Sequence, residues 1–228
     1  MIRNFKRTAA IFGIVAATST ALVACSESNE SDSADGGSDS VEVSGDLSGE
    51  GASSQKSAMS VFEKAFLNEY PDANFSYTSS GSGAGVKAFN GGTVDFAGSD
   101  SALKEDKGEV EAAKERCDGN DAWHLPTTIG PVAIAYNLGD TEVNLSTDTL
   151  AKIFKGEITK WNDDAIKAEN EGTDLPDKNI TVIFRSDESG TSDNFQKFLT
   201  AATGNWDSEG KQFPDCLLYT SDAADDSL

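Results

Sequence analysis

Histidine is almost missing from this 228-residue chain, which has one, His124. That leaves no histidine cluster for a metal and little scope for a Ser–His catalytic pair, so a structural role is expected for His124 and no metal or cofactor is expected. Basic residues are scarce as well: 18 Lys and Arg face 39 Asp and Glu, a net charge of −21. Such a balance excludes nucleic acid, whose binding relies on neutralising phosphates with many cations. It does not exclude every anion, because a buried site can act at short range through aimed backbone N–H groups, hydroxyls and one arginine. The nucleotide loop G-x-x-x-x-G-K-[ST] is absent. Of the three motifs of serine β-lactamases, Ser53-Ser54-Gln55-Lys56 fits S-x-x-K and Ser192-Asp193-Asn194 fits S-D-N, but K-T-G is lacking, so an enzyme is not expected.

The apolar run from Thr8 to Ala24 is shorter than the roughly 20 residues of a spanning helix. It follows a basic patch of Arg3, Lys6 and Arg7 and closes on small residues, which makes residues 1–24 a secretory signal peptide. Leu22-Val23-Ala24-Cys25 resembles a lipobox, so Cys25 is the expected lipidation site; the alternative is an ordinary signal that happens to end at cysteine. Loss of the three basic residues takes the mature chain from −21 to −24. Ser26 to Ser40 holds no aromatic or large aliphatic residue and only acidic charges, so residues 25–40 read as a lipidated cysteine and a flexible acidic tether. These features place the chain on the extracytoplasmic face of the cell membrane, held by a lipid anchor. Cys117 and Cys216 remain, and pairing is the ordinary expectation for an exported protein.

From Val41 onward short β-like runs alternate with helical patterns, the mark of an α/β architecture. Strands are expected at 41–44, 74–78, 94–97 and 180–185. Helices are expected at 54–70, 86–90, 104–116, 147–154, 163–170 and 191–200, the first with Ala58, Phe62, Ala65, Phe66 and Tyr70 on one face. Pro126, Gly130 and Pro131 interrupt the extended stretch 124–137, which suits a crossing between domain 1 (41–127) and domain 2 (128–215).

Three segments share one layout, a strand, a Gly/Ser/Thr turn and a helix start: 48–54, 79–85 and 187–192. A helix start offers unpaired N–H donors and a partial positive charge, glycine lets a ligand approach the backbone, and hydroxyls add donors. The alternative for each turn is plain capping of the helix. The third turn differs in having Arg185 at the end of the preceding apolar strand, and the planar arginine fork fits phosphate bidentately; a surface ion pair with Asp187 is its alternative. Asp100 follows the strand at 94–97. A carboxylate can accept a hydrogen bond from phosphate, which keeps a proton near neutral pH, whereas fully deprotonated sulfate would meet repulsion; a helix cap is again the alternative.

The runs Leu47–Ser54, Gly81–Lys87, Val94–Asp100, Ile153–Trp161 and Phe184–Ser192 resemble those of the phosphate-binding proteins of bacterial ABC importers, in that family's order and spacing. The resemblance implies a two-domain, type II periplasmic-binding-protein-like fold that closes about a hinge on phosphate and delivers it to the permease and ATPase subunits of an importer. It implies phosphate contacts from Ser53, Ser54, Ser82, Asp100, Arg185, Ser189, Gly190 and Thr191, with Asp187 orienting Arg185. Where many relatives have threonine and phenylalanine, this chain has Ser53 and Ser54. A binder of another oxyanion, such as sulfate or molybdate, is the rival reading. Family members also continue past residue 215, so the fold is expected to be incomplete at the C-terminus, exposing a sheet edge and apolar helix faces. Residues 216–228 are expected to be a non-native tail, which would leave Cys117 without a natural partner in Cys216.

Overall fold

The computed structural model describes residues 43–214 and 220–221. The expected signal peptide, Cys25, the whole tether and most of the 216–228 tail, Cys216 included, lie outside the described residues.

A parallel three-stranded sheet organises the first half. Its strands are β1 (Gly45–Gly51), β2 (Ala73–Ser79) and β3 (Phe96–Gly98), in the order β2-β1-β3. β1 lies in the middle, in register with β2 from Gly45↔Ala73 to Gly51↔Ser79 and with β3 from Gly49↔Phe96 to Gly51↔Gly98. All three strands therefore end on one side, where the turns Ala52–Ser54, Ser80–Ser82 and Ser99–Asp100 emerge together. Parallel strands need helical crossovers. A 3₁₀ turn (Ser53–Gln55) runs into α1 (Lys56–Glu69), which leads to β2, and α2 (Ser82–Asn90) leads to β3. Phe75 packs on Phe66 and Phe96, ring centroids 6.0 and 5.5 Å apart, which ties α1 to the sheet.

α3 (Glu109–Arg116) follows, then residues 121–137 without regular structure. In that stretch Trp123, Leu125, Ile129, Val132, Ile134 and Tyr136 are all exposed. His124, expected to be structural, is exposed too. The second half contains α4 (Thr147–Phe154), α5 (Asp164–Glu169), β4 (Phe184–Arg185), α6 (Gly190–Ala202) and β5 (Thr220–Ser221), with β5 parallel to β4. Two apolar clusters hold these elements. Ala151, Phe195, Leu199, Trp206 and Phe213 join α4 to α6, with Phe154 and Phe195 edge-on at 4.9 Å. Ile153, Ile158, Ile166 and Leu175 join α4 to α5. Because α4 faces both clusters, with Ala151 turned to one and Ile153 to the other, it is the central pillar of this half.

The elements agree in kind with the α/β pattern of the sequence but not in every boundary. Among the described residues the first strand is 45–51; Val43 and Ser44 of the expected strand 41–44 are not in it, because its position is set by neighbours on both sides and not by its own glycine-rich residues. Met59 is the buried residue of α1, while Phe62 is 39% exposed, so the buried face is rotated from the expected one. Of the expected strand 180–185 only Phe184–Arg185 has ladder pairing; Ile180 and Val182 pack against the Ile153–Ile166 cluster as irregular chain.

Candidate functional site

Ser53, Ser54, Ser82, Asp100, Arg185, Asp187, Ser189, Gly190 and Thr191 converge at the common end of the sheet, although they come from four separate stretches. Cys25 lies outside the described residues. Ser53 and Ser54 open the 3₁₀ turn, Ser82 is the first residue of α2, Ser189 caps α6, and Gly190 and Thr191 begin it.

The stretches are stitched directly. Arg185 Nη1 donates to Ser53 Oγ at 2.7 Å. The Gly83 N–H donates to the Glu188 carbonyl at 2.9 Å, which brings the start of α2 against the third turn. The Asp100 N–H donates to Ser82 Oγ at 3.2 Å. Ser54 Oγ donates to the Asp100 carboxylate at 2.7 and 2.8 Å, and Thr191 Oγ1 donates to it at 3.0 Å. Asp100 is thus a hub for hydroxyls from the first and third turns. It caps no helix; Gly108 is the N-cap of α3.

Capping accounts for part of the third turn, since the Ser189 hydroxyl accepts from the Ser192 N–H at 3.3 Å. The first two turns differ. Ala52 and Gly81 hold their N-cap positions, and neither caps through a side chain. Gly81 has φ 97°, a left-handed conformation that favours glycine, and a Cβ there would collide with the Asp187 carboxylate. Two of the three helix starts, at Ser53 and Ser82, therefore keep N–H groups that no hydroxyl caps.

Arg185 is gripped from behind. Its Nε donates to Asp187 Oδ1 at 2.7 Å and its Nη2 meets Asp187 Oδ2, a bidentate pair that fixes the guanidinium plane. The ion pair and the site role are compatible, because Nη1 remains directed at Ser53.

Sequence reasoning missed several supports. Gln55 Nε2 donates to the Ser99 carbonyl at 3.2 Å and to Asp100 at 3.3 Å, and Asn194 Nδ2 donates to the Asp100 carbonyl at 2.7 Å. Asn194 had been visible only as the last letter of the S-D-N match. Tyr77 donates to the Ala52 carbonyl at 2.9 Å; burial, then the charges of Asp100 and Glu50, push its phenol up to about 12, so it remains a donor at any physiological pH. A cavity of about 620 Å³ lies to one side, lined by Lys87, Lys107, Glu109, Glu188, Glu209 and Lys211 among others. Lys87 already pairs with Glu188 and Lys211 with Glu109, so its mixed lining selects no ligand charge, and none of the converging hydroxyls face it. Among the described residues no cluster of His, Cys, Asp and Glu suits a metal, Cys117 is a free thiol, and no helix is long and apolar enough to cross a membrane.

What the arrangement can do chemically is hold a small tetrahedral anion: N–H donors at three helix starts, a fixed guanidinium, and one carboxylate able to accept a proton-borne hydrogen bond. Phosphate-binding protein PstS2 of Mycobacterium bovis (strain BCG / Pasteur 1173P2) is 47% identical over 209 residues, covering 89% of this chain and 56% of that protein. Phosphate-binding protein PstS3 of the same organism is 43% identical over 221 residues, covering 92% and 58%. This chain therefore spans a little over half the length of these curated relatives. An ABC-type phosphate transport receptor from Vibrio cholerae, solved by crystallography, aligns at 21% identity with a TM-score of 0.44, over 76% of this chain and 62% of its own. A family model described as a PBP superfamily domain matches residues 29–225, most of the sequence, and the chain belongs to that superfamily.

Proposed function

We propose that this chain is the receptor that binds inorganic phosphate outside the cytoplasmic membrane and delivers it to the permease and ATPase subunits of an ABC importer. The observation that carries this reading is the pairing of opposite chemistries at one point. Asp100 gathers the hydroxyls of Ser54 and Thr191, while Arg185, fixed by Asp187, reaches Ser53. A site for a fully deprotonated oxyanion has no use for a carboxylate; a site for protonated phosphate has. The relatives named as phosphate-binding proteins at 43–47% identity support the same ligand.

The remaining assignments belong to this reading. Ser53, Ser54, Ser82, Asp100, Arg185, Ser189, Gly190 and Thr191 contact phosphate, and Asp187 orients Arg185. Residues 41–127 and 128–215 are two lobes of a type II receptor that close on the ligand. Cys25 carries a lipid that keeps the receptor at the membrane surface after removal of residues 1–24. The protein binds and releases its ligand without chemical change. Titration calorimetry with phosphate, and with sulfate as the control, tests the proposal: tight binding of phosphate alone is expected, and sulfate binding of equal strength would overturn it.

A further inference from the structure

Behind the anion turns lies a group of charged residues that none of the assignments above uses. Lys104 Nζ donates to Asp193 Oδ1 at 2.8 Å although the two residues are 89 apart in sequence. Asp193 is wholly buried and the Lys104 side chain is 13% exposed. The Lys104 N–H donates to Glu109 Oε2 at 2.9 Å, and Glu109 Oε1 accepts from Lys211 Nζ at 2.9 Å across 102 residues. Lys211 is buried in turn. Two carboxylate–lysine pairs are thus joined through the backbone of Lys104, and each pair links residues 41–127 to residues 128–215.

Both pairs lead back to the site. Lys104 lies four residues after Asp100, and Asp193 lies one helical turn after Ser189. The Lys211 carbonyl accepts from the Ser189 N–H at 3.0 Å, and Asn194, next to Asp193, donates to the Asp100 carbonyl at 2.7 Å. Burying such pairs costs desolvation that their attraction barely repays, so net stability is a poor account of them. Fixing one arrangement of two parts is a better one, since a displaced lobe would cost Asp193 the cation that reaches it from the other lobe and part Glu109 from Lys211.

We infer that Lys104, Glu109, Asp193 and Lys211 form a buried charge lock between the two lobes, and act as positioning residues that hold the Asp100 and Ser189–Thr191 turns in their phosphate-binding arrangement. The inference rests on the phosphate reading above. Its consequence is energetic coupling: a receptor without the lock spends less time in the competent arrangement, and its apparent affinity falls by that fraction.

Lys197 supplies the control. Its Nζ also lies 2.7 Å from Asp193, at Oδ2, but it belongs to the same helix four residues on and bridges nothing. Phosphate affinity and release rate are to be measured on the full chain for wild type, Lys104→Met, Lys104→Arg and Lys197→Met, alongside thermal melting. Lys104→Met is expected to weaken phosphate binding roughly tenfold with faster release, Lys104→Arg to recover most of the loss, and Lys197→Met to bind as wild type does. Equal affinity in wild type and Lys104→Met, or equal losses in Lys104→Met and Lys197→Met, would overturn the lock. Should Lys104→Met fail to fold, Lys211→Met decides by the same comparison. Wild type that does not bind phosphate would instead overturn the functional reading.

Discussion

The Thr191 hydroxyl donates to the Asp100 carboxylate over 3.0 Å, joining the start of α6 to the end of β3 across 91 residues of sequence. Asp100 also accepts from Ser54 through both of its oxygens, so the same carboxylate holds two of the three anion turns. Asp100→Asn removes the charge and half of the acceptor capacity while preserving shape. The expected outcome is weaker phosphate binding together with a gain in sulfate binding, narrowing the ratio of the two about tenfold or more, as befits a hydrogen bond to a charged group. Competition calorimetry with the two anions checks it, and an unchanged ratio would remove Asp100 from ligand selection.

Arg185 makes a different kind of contribution, set by geometry as much as by charge. Its fork is engaged by both oxygens of Asp187 while Nη1 points to Ser53. Arg185→Ala is expected to weaken phosphate binding by about 100-fold, corresponding to the loss of charge-assisted hydrogen bonds. Arg185→Lys should recover little of it, because a lysine cannot hold Asp187 bidentately and reach Ser53 at once. Wild-type affinity in either variant, read by the same titration, would show that the guanidinium serves only its ion pair.

Gly190 tests how closely the turns must approach. A Cβ at this position would lie 2.5 Å from Ser82 Oγ and 3.0 Å from the Asp100 Cβ, with Ser82 itself buried. Neither neighbour is the far end of a flexible side chain, so Gly190→Ala must push α2 and the Asp100 loop away from α6. The expected cost is about 1–3 kcal/mol of stability, the ordinary range for overpacking, with a larger fractional loss of phosphate affinity than of melting temperature. An alanine variant that melts and binds as wild type does would mean that the turns have room to spare.

Much of this was legible in the sequence where local signals were strong. α4 falls at 147–154 as expected because Ser146 caps it, accepting from the Thr149 N–H, and its apolar residues follow helical spacing. The three glycine/serine turns were found for the same reason, since their residue types report a local backbone requirement. β1 was displaced because a central parallel strand is imposed by partners on both sides, and Gly-Asp-Leu-Ser-Gly-Glu-Gly has little β preference of its own. The face of α1 was misjudged because which side is covered depends on where β2 and β3 lie. Lys104 and Glu109 fell within the expected helix 104–116, Lys211 carried no signal at all, and Asp193 was visible only as part of a β-lactamase match. Charge pairs joined across 89 and 102 residues carry no periodicity, so only the fold reveals them.

The same charges predict how stability depends on pH. Burial alone pushes the Glu109 carboxyl up, but hydrogen bonds from Lys211 and the Lys104 N–H, with the charges of Lys211 and Lys107, outweigh it and hold the group below its ordinary range. Asp193 behaves likewise, burial being outweighed by Lys104 and Lys197. In the unfolded chain both carboxyls titrate near the usual values of about 4. Between those values and the lower folded ones the unfolded state binds more protons, so stability rises with pH there. The contribution is complete above the unfolded values and is lost as pH falls through the folded ones. Urea midpoints measured from pH 7 downward for wild type and Glu109→Gln should differ most near neutrality, and the gap should close below about pH 4. A gap that stays constant across that range would mean that Glu109 is not held ionised by Lys211 in the folded protein.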